Sequence, residues 1–333
     1  MLVLGLQGSP RKKGNTAFLL SAFMAEAAAL GAATETVEVC RSDIRPCMEL
    51  VVCEKKGFCP IHDEMESRVY GLLRQADVVV AATPIFFYNA TAQLKALIDR
   101  CQTLWARRYR LKLKDPLATV RKGIVLAVAA TRGPQLFEGL NLTATYFFDA
   151  IDARFCASLN YRQIEHASDM AKHPSMREDV AKLVKEHLAP LAQRPKVIFV
   201  SSADACRSQM ARALVMARAG RRIEALTAGI APAQRIDALT LATMAERKID
   251  LAFRVPQPLN AVLAGNRPDL VVTFDAATAL PPWLAAIRRE NWDLGEAVGP
   301  DPDSRRRLCS ALEVRIATLF QQFDIQPDTN QKQ

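Results

Sequence analysis

Three short stretches hold residues whose types and spacing could do chemistry. VIFVSSADACRS, residues 197–208, runs an apolar strand into a loop that opens a helix, with Ser201 where the strand ends and Cys206, Arg207 and Ser208 at the helix start. LGLQGSPRKKGNTAFLL, residues 4–20, has the same form. Backbone N–H groups at a helix N-terminus, with the helix dipole behind them, make a site for an oxyanion. In the second stretch Ser9, Asn15 and Thr16 can donate further hydrogen bonds and Arg11 can pair with phosphate oxygens; an ordinary strand-to-helix turn is the alternative. The dinucleotide spacing G-x-G-x-x-G is absent from it. The third stretch, RPCMELVVCEKKGFCPIHDEM, sets Cys47, Cys53 and Cys59 in one loop. Thiolates gathered in this way can ligate metal, while buried small thiols or a redox pair are the plain alternatives.

The elements that must position these loops alternate in type. LVLGL, TETVEV, DVVVAAT, GIVLAVAA and ARFCASLNY read as strands, and the stretches after Asn15, Glu64, Thr91, Glu138 and Pro174 as helices. That order predicts a doubly wound parallel sheet. Two further loops, ATPIFFYNATAQ and AATRGPQLFEG, fall after the third and fourth strands, so that three loops meet at carboxyl ends of strands, where open α/β sheets bind ligands. There Pro84, Ile85, Phe86 and Phe87 could form a flat apolar wall with Asn89 at its edge, suited to a planar ring system, or could be core packing. A helix ending near Leu188 leads into APLAQRPK, which reads as a linker. A second α/β pattern follows: KVIFVSS, a helix from Arg207, RIEALTAG, a helix after Arg235, DLVVTF and an amphipathic helix over 305–323. The expected domains are 1–190 and 195–325, each a doubly wound parallel sheet, with the polar tail IQPDTNQKQ frayed.

The totals suit this division, since 333 residues allow two domains with their own cores. Half the residues are hydrophobic and 24% charged, a balance of globular chains. No apolar run approaches the roughly 20 residues of a membrane span, and no basic segment precedes LVLGL, so the expected location is cytoplasmic, away from membranes. The net charge of +9 favours anionic ligands. Zinc-finger spacing, RNA-binding aromatic signatures and long basic tracts are all missing, which argues against nucleic acid. Eight cysteines in such a chain point to thiols rather than a disulfide framework. RRYRLKLK, Arg107–Lys114, could attract nicotinamide phosphates, sit at a subunit contact or form a solvated face.

GSPRKKGNT, TPIFFYNATAQLKALIDRCQTLWARRY and the KHP at Lys172–Pro174 resemble the flavodoxin-like NAD(P)H-dependent FMN reductases, including their iron-sulfur flavoprotein branch, over about the first 190 residues. The resemblance implies FMN as cofactor and NAD(P)H as co-substrate. Ser9, Arg11, Asn15 and Thr16 would hold the FMN phosphate. Pro84, Ile85, Phe86, Phe87 and Asn89 would line the flavin, and Thr131, Arg132 and Gly133 would close its other edge. It also implies a homodimer or homotetramer, electrons passed to a small-molecule acceptor, and no side chain acting as catalytic acid or base. The cluster-bearing branch carries four cysteines, the first three spaced by two residues. Here Leu50 stands at the second position, so Cys47, Cys53 and Cys59 are weak metal candidates and an iron-sulfur cluster is not expected.

VIFVSSADACRSQMARAL, TAGIAPAQRIDALTLATMAERKIDL, PDLVVTF and NWDLGEAVGPDPD resemble the low molecular weight protein tyrosine phosphatases and the related arsenate reductases. In that family a cysteine stands at the Ser201 position, and a serine hydroxyl is not ionised at neutral pH as such a thiol is. Asp204 replaces an asparagine and is expected to oppose an anion. VVTFDAATALPPW lacks the relay cysteines of arsenate reductases. Arg207, Ser208 and the candidate acid Asp301 remain, with Cys206 as a structural thiol. The expectation is a degenerate domain that retains at most an oxyanion ligand. The rivals to a flavin oxidoreductase are an arsenate reductase or phosphatase acting through this second domain, and a non-catalytic flavin electron carrier or redox sensor.

Overall fold

The computed structural model describes residues 1–264, 267–275, 280–294, 299 and 301–328. The chain divides into two compact units, one of residues 1–112 and 120–192, the other of 113–119 and 193–333.

In the first unit the elements run β1 (Leu2–Gln7), α1 (Asn15–Ala29), β2 (Ala33–Glu38), α2 (Val52–Lys56), α3 (Tyr70–Gln75), β3 (Val78–Pro84), α4 (Ala92–Arg100) and α5 (Gln102–Tyr109). They continue with β4 (Lys122–Val128), α6 (Glu138–Ala150), β5 (Arg154–Tyr161), α7 (Asp169–Lys172) and α8 (Met176–Ala192). All five strands pair in parallel in the order β2-β1-β3-β4-β5. The central strands are buried almost along their whole length, because crossover helices cover both faces of such a sheet. Reversal of the strand order between β1 and β3 opens a crevice at their carboxyl ends.

The second unit contains β6 (Lys196–Ser201), α9 (Arg207–Ala219), β7 (Glu224–Gly229), α10 (Ala238–Glu246), α11 (Leu259–Leu263), β8 (Leu270–Thr273), β9 (Arg288–Asn291) and α12 (Pro302–Gln322). Its sheet is also parallel, in the order β7-β6-β8-β9, so the same kind of crevice lies between β6 and β8. Ile198, Val200, Ala228, Val271, Leu284 and Ile287 form a core cluster, and Phe199, Phe274 and Trp292 pack ring to ring at 5.4–6.3 Å.

Three details differ from the sequence reading. The expected linker is largely helix: α8 carries Pro190 in its last turn, and burial of Leu188 and Leu191 holds that turn together, leaving only Gln193–Pro195 before β6. Strand β9 is the charged stretch RREN, whose lack of apolar alternation gives no signal. The tail is anchored as far as Asp328, because Ile325 is buried and the Asp328 N–H donates to the Arg218 carbonyl at 2.6 Å; residues 329–333 lie outside those described.

Candidate functional sites

The first crevice is bounded by the loops after β1, β3 and β4. Gly8 turns the chain off β1, its N–H donating to the Ala82 carbonyl at 2.8 Å. A Cβ here would meet Leu94 at 2.8 Å and the Ala82 carbonyl at 3.0 Å, so only glycine allows the loop this close to β3 and α4. Buried Thr91 locks the same approach, its hydroxyl donating to the Gly8 carbonyl at 2.6 Å while capping α4. Ser9 and Thr16 are buried beside the loop, and the Ser9 hydroxyl accepts the Arg11 N–H at 3.2 Å. The start of α1 has no side-chain cap and no acid in its first turn, and Arg11, Lys12 and Lys13 make no ion pair among the described residues. Free N–H groups, buried hydroxyls and unpaired cations together fit a phosphate group. Asn15 is otherwise engaged: its amide donates to the His166 carbonyl at 2.9 Å and accepts the Met170 N–H at 3.2 Å, which ties the 166–170 turn to the loop.

The loop after β3 is held in an unusual shape. Phe87 and Tyr88 have φ of +48° and +65°, in the left-handed region that bulky residues rarely enter. Phe86 and Tyr88 are about half exposed and Phe87 wholly so, at 102%. Burial therefore does not hold this aromatic run, and Pro84, Ile85, Phe86 and Phe87 are not core packing of the kind the central strands show. Asn89 turns away from the crevice, its amide donating to Thr143 of α6 at 3.0 Å. In the loop after β4, Gly133 faces Tyr88 so closely that a Cβ would lie 2.5 Å from the phenol oxygen. Arg162 fixes this loop from behind by donating to the carbonyls of Arg132 and Gly133 at 3.1 and 2.9 Å; Thr131 precedes them.

In the same unit Cys47, Cys53 and Cys59 line one cavity of about 390 Å³ together with Leu50 and Arg100. Glu49 and Val51 have positive φ, a further mark of a loop held against its local preference. Its two feet are clamped from the core. Buried Arg100 donates to the Arg45 carbonyl at 2.8 Å, to the Ile61 carbonyl at 3.3 Å and to both carboxylate oxygens of buried Asp63. Burial pushes the Asp63 carboxyl up, but hydrogen bonds from Arg100 and from the N–H groups of Arg45 and Met65 outweigh it and hold it below the usual range. Burial, and then the neighbouring Cys59 and Cys47, raise the Cys53 thiol. Among the described residues no three His, Cys, Asp or Glu side chains converge on a single metal position. The arginines of RRYRLKLK bond nearby: Arg107 to the Gly57 carbonyl, Arg108 to Asp149 and Asp152, and Arg110 to Glu54.

In the second unit the loop after β6 is closed upon itself. Carbonyls of Ser201, Ser202, Ala203 and Ala205 accept the N–H groups of Ile230, Ala231, Ala233 and Asp237 at 2.8–3.1 Å. In a planar trans peptide the following N–H points the opposite way, so those of Ser202, Ala203, Asp204 and Cys206 face the loop's other side. Asp204, at φ +50°, folds its carboxylate into the interior. There it accepts from the Ser208 hydroxyl at 2.8 Å, the Gln209 amide at 3.0 Å, the Thr227 hydroxyl at 3.3 Å and the Gln257 N–H at 2.9 Å. Burial pushes its pKa up to about 6 against the pull of these donors. Ser201, only 5% exposed, lies 2.9 Å from Ser208 and accepts the Asp204 N–H at 3.1 Å. Arg207 is bound to both carboxylate oxygens of Asp275 at 2.9 Å and to the Phe274 carbonyl. Cys206 is partly buried, and burial raises its thiol, away from a reactive thiolate. Asp301 caps α12, accepting the Ser304 N–H at 2.8 Å; that bond holds its carboxyl below the usual range, which suits a cap rather than a proton donor.

Comparison with known proteins follows the same division. Residues 1–135 match the family of NADPH-dependent FMN reductases, and residues 196–328 that of low molecular weight phosphotyrosine protein phosphatases. The chain therefore joins an FMN-reductase-type domain to a low molecular weight phosphatase-type domain. An iron-sulfur flavoprotein of Methanosarcina thermophila is 36% identical over 114 residues, which are 34% of this chain and 59% of that protein. A glutaredoxin arsenate reductase of Synechocystis sp. is 25% identical over 126 residues, 38% of this chain and 95% of the relative. A solved arsenate reductase from Archaeoglobus fulgidus is 28% identical, covers 37% of this chain and 97% of its own, and superposes with a TM-score of 0.33. The chain thus spans about three fifths of the Methanosarcina flavoprotein it resembles.

The phosphatase-type domain corrects one reading of the sequence directly. Asp204 does not face the anion side of its loop; its left-handed backbone turns the carboxylate inward, where four donors meet it. Residues 276–279 of VVTFDAATALPPW lie outside the described residues. Sequence reasoning also passed over Thr91, Tyr88 and Asp275. Thr91 stood at a recognisable helix cap and Tyr88 within the quoted aromatic run, whereas nothing local links Asp275 to Arg207 across 68 residues.

Proposed function

We propose that the chain is an FMN-dependent NAD(P)H oxidoreductase that passes electrons to a small acceptor such as a quinone, nitro compound or arsenical. The observation that carries this reading is the uncapped start of α1 beside buried Ser9 and Thr16 and unpaired Arg11, in the part of the chain that matches the FMN reductases. Bound there, FMN would supply hydride acceptance from a nicotinamide and onward transfer to the acceptor. This chain's own part is to hold the phosphate on Arg11, Ser9, Thr16 and the N–H groups of α1, and to set the ring against Pro84–Phe87. Tyr88, packed over Gly133, bounds the crevice and limits water. Asn15 and Asn89 act one step back, bracing the 166–170 turn and α6. Exposed Phe87 suits a homodimer or homotetramer in which a partner covers it, and the absence of an apolar membrane-length helix among the described residues suits a cytoplasmic location.

On this reading the phosphatase-type domain does not run cysteine chemistry, because Ser201 supplies no thiolate; its loop retains a place for an oxyanion on inward N–H groups. The test is the visible spectrum of the purified chain before and after anaerobic NADPH. A flavin spectrum that bleaches supports the reading, and a colourless protein that cannot be reconstituted with FMN overturns it.

One observation favours a second reading for the cysteine loop. Cys47, Cys53 and Cys59 line one cavity, and the relatives of the first domain include iron-sulfur flavoproteins. Their side chains do not converge on one metal position among the described residues and Leu50 offers no ligand, so a cluster would require the loop to close around it. Stoichiometric iron and acid-labile sulfide in anaerobically purified protein would establish it; their absence supports a cluster-free flavoprotein.

A further inference from the structure

Proton counting at the Ser201 loop gives a direction to its hydrogen bonds. An ionised carboxylate only accepts, so the single proton of Ser208 goes to Asp204 across their 2.8 Å contact. Ser208 then has only lone pairs for Ser201, and the Ser201 proton must point at Ser208 across 2.9 Å. The second lone pair of Ser201 accepts the Asp204 N–H, which leaves one lone pair uncommitted. The result is a Ser201–Ser208–Asp204 chain ending in a buried base, set beside the N–H groups of Ser202, Ala203 and Cys206, which have no partner among the described residues. An asparagine at 204 could be donor or acceptor and would fix no such direction. The two departures from the phosphatase pattern, serine at 201 and aspartate at 204, thus meet in one hydrogen-bonded chain.

We propose that Ser201 is a phosphoryl acceptor, taking one phosphoryl group from an activated phosphomonoester through this relay and retaining it. The inference rests on the reading that the loop binds an oxyanion. In the step, the Ser201 Oγ–P bond forms and the P–O bond to the leaving group breaks, its electron pair departing with an aryl oxide that needs no proton. The Ser201 proton passes to Ser208 as the Ser208 proton passes to Asp204. Hydrolysis would require Ser201 to leave as an alkoxide, far more basic than the thiolate of a cysteine at that place, so the phosphoserine persists. The loop is then a single-turnover acceptor rather than a phosphatase. Asp204 positions and deprotonates through Ser208, and the four groups bonded to its carboxylate are all uncharged.

The experiment treats the full chain with p-nitrophenyl phosphate and follows nitrophenolate release, intact mass and peptide mapping. The expected result is a burst near one equivalent, the mass of one phosphoryl group on Ser201, and a labelling rate that climbs through pH 6 to a plateau as Asp204 ionises. Ser201→Ala should lose the label. Asp204→Asn should slow it by about a hundredfold and remove that pH dependence. Ser201→Cys should turn the ester over repeatedly. A labelled site other than Ser201 would overturn the proposal, as would a wild-type rate flat between pH 5 and 8. An unlabelled wild type beside an active Ser201→Cys chain would show that the loop takes the ester but Ser201 does not attack, defeating the proposal while sparing the oxyanion reading. Silence of both, with no protection of the loop by inorganic phosphate, would defeat both.

Discussion

The loops after β1 and β6 stand at equivalent places, each ending the first strand of a parallel sheet at the point where strand order reverses, yet they dispose of their polar side chains in opposite ways. Around Ser9 the helix start is uncapped and the cations unpaired. Around Ser201 the carboxylate has four donors, the hydroxyls are joined in series and Arg207 is already bound to Asp275. The side chains of the first loop are left for a ligand, whereas those of the second serve their own fold and leave only backbone N–H groups, at an equally uncapped helix start, for an oxyanion. Mutations should therefore separate the two, costing ligand affinity in the first domain and stability in the second.

The largest effect should come from Asp204→Ala, which strands four buried donors and is expected to destabilise the second domain by about 3 kcal/mol or more, seen as an early transition in denaturant unfolding. A cost below 1 kcal/mol would mean that the loop is not self-supporting. Next comes the pH dependence of the wild type. The Asp204 carboxyl is raised on folding, so its contribution to stability is fully present below the unfolded value near 4 and is lost as pH rises through about 6. The second transition should weaken by about 3 kcal/mol over that window, and Asp204→Asn should flatten this slope. In the first loop, Arg11→Ala should weaken FMN binding by about tenfold while leaving both transitions in place, measured by flavin titration of the apoprotein. The smallest effect belongs to Asp275→Ala. Freeing Arg207 from a partly exposed pair should tighten inorganic phosphate binding severalfold in calorimetry, and no change would mean that Arg207 does not reach the loop.

Much of this was legible from the chain. Runs such as DVVVAAT and GIVLAVAA define strands by composition alone, and the glycine and hydroxyl residues after β1 and the hydroxyl residues after β6 mark the two candidate anion loops. What stayed hidden depends on direction or distance. The order of residues places Asp204 beside an anion loop but does not state that a positive φ turns its side chain inward. Asn15 and Asn89 sit at the expected loops, yet their amides serve partners 151 and 54 residues away. Pro190 advertised a break that buried Leu188 and Leu191 override.

The buried Arg100–Asp63 clamp has a mechanical consequence. By gripping residues 45, 61 and 63 from α4, it fixes both ends of the intervening stretch, whose interior is tied to the rest of the domain through Arg107 at Gly57 and Arg110 at Glu54. Substitutions at Leu50, which lines the cavity between those fixed ends, are therefore expected to alter the cavity without shifting the strands.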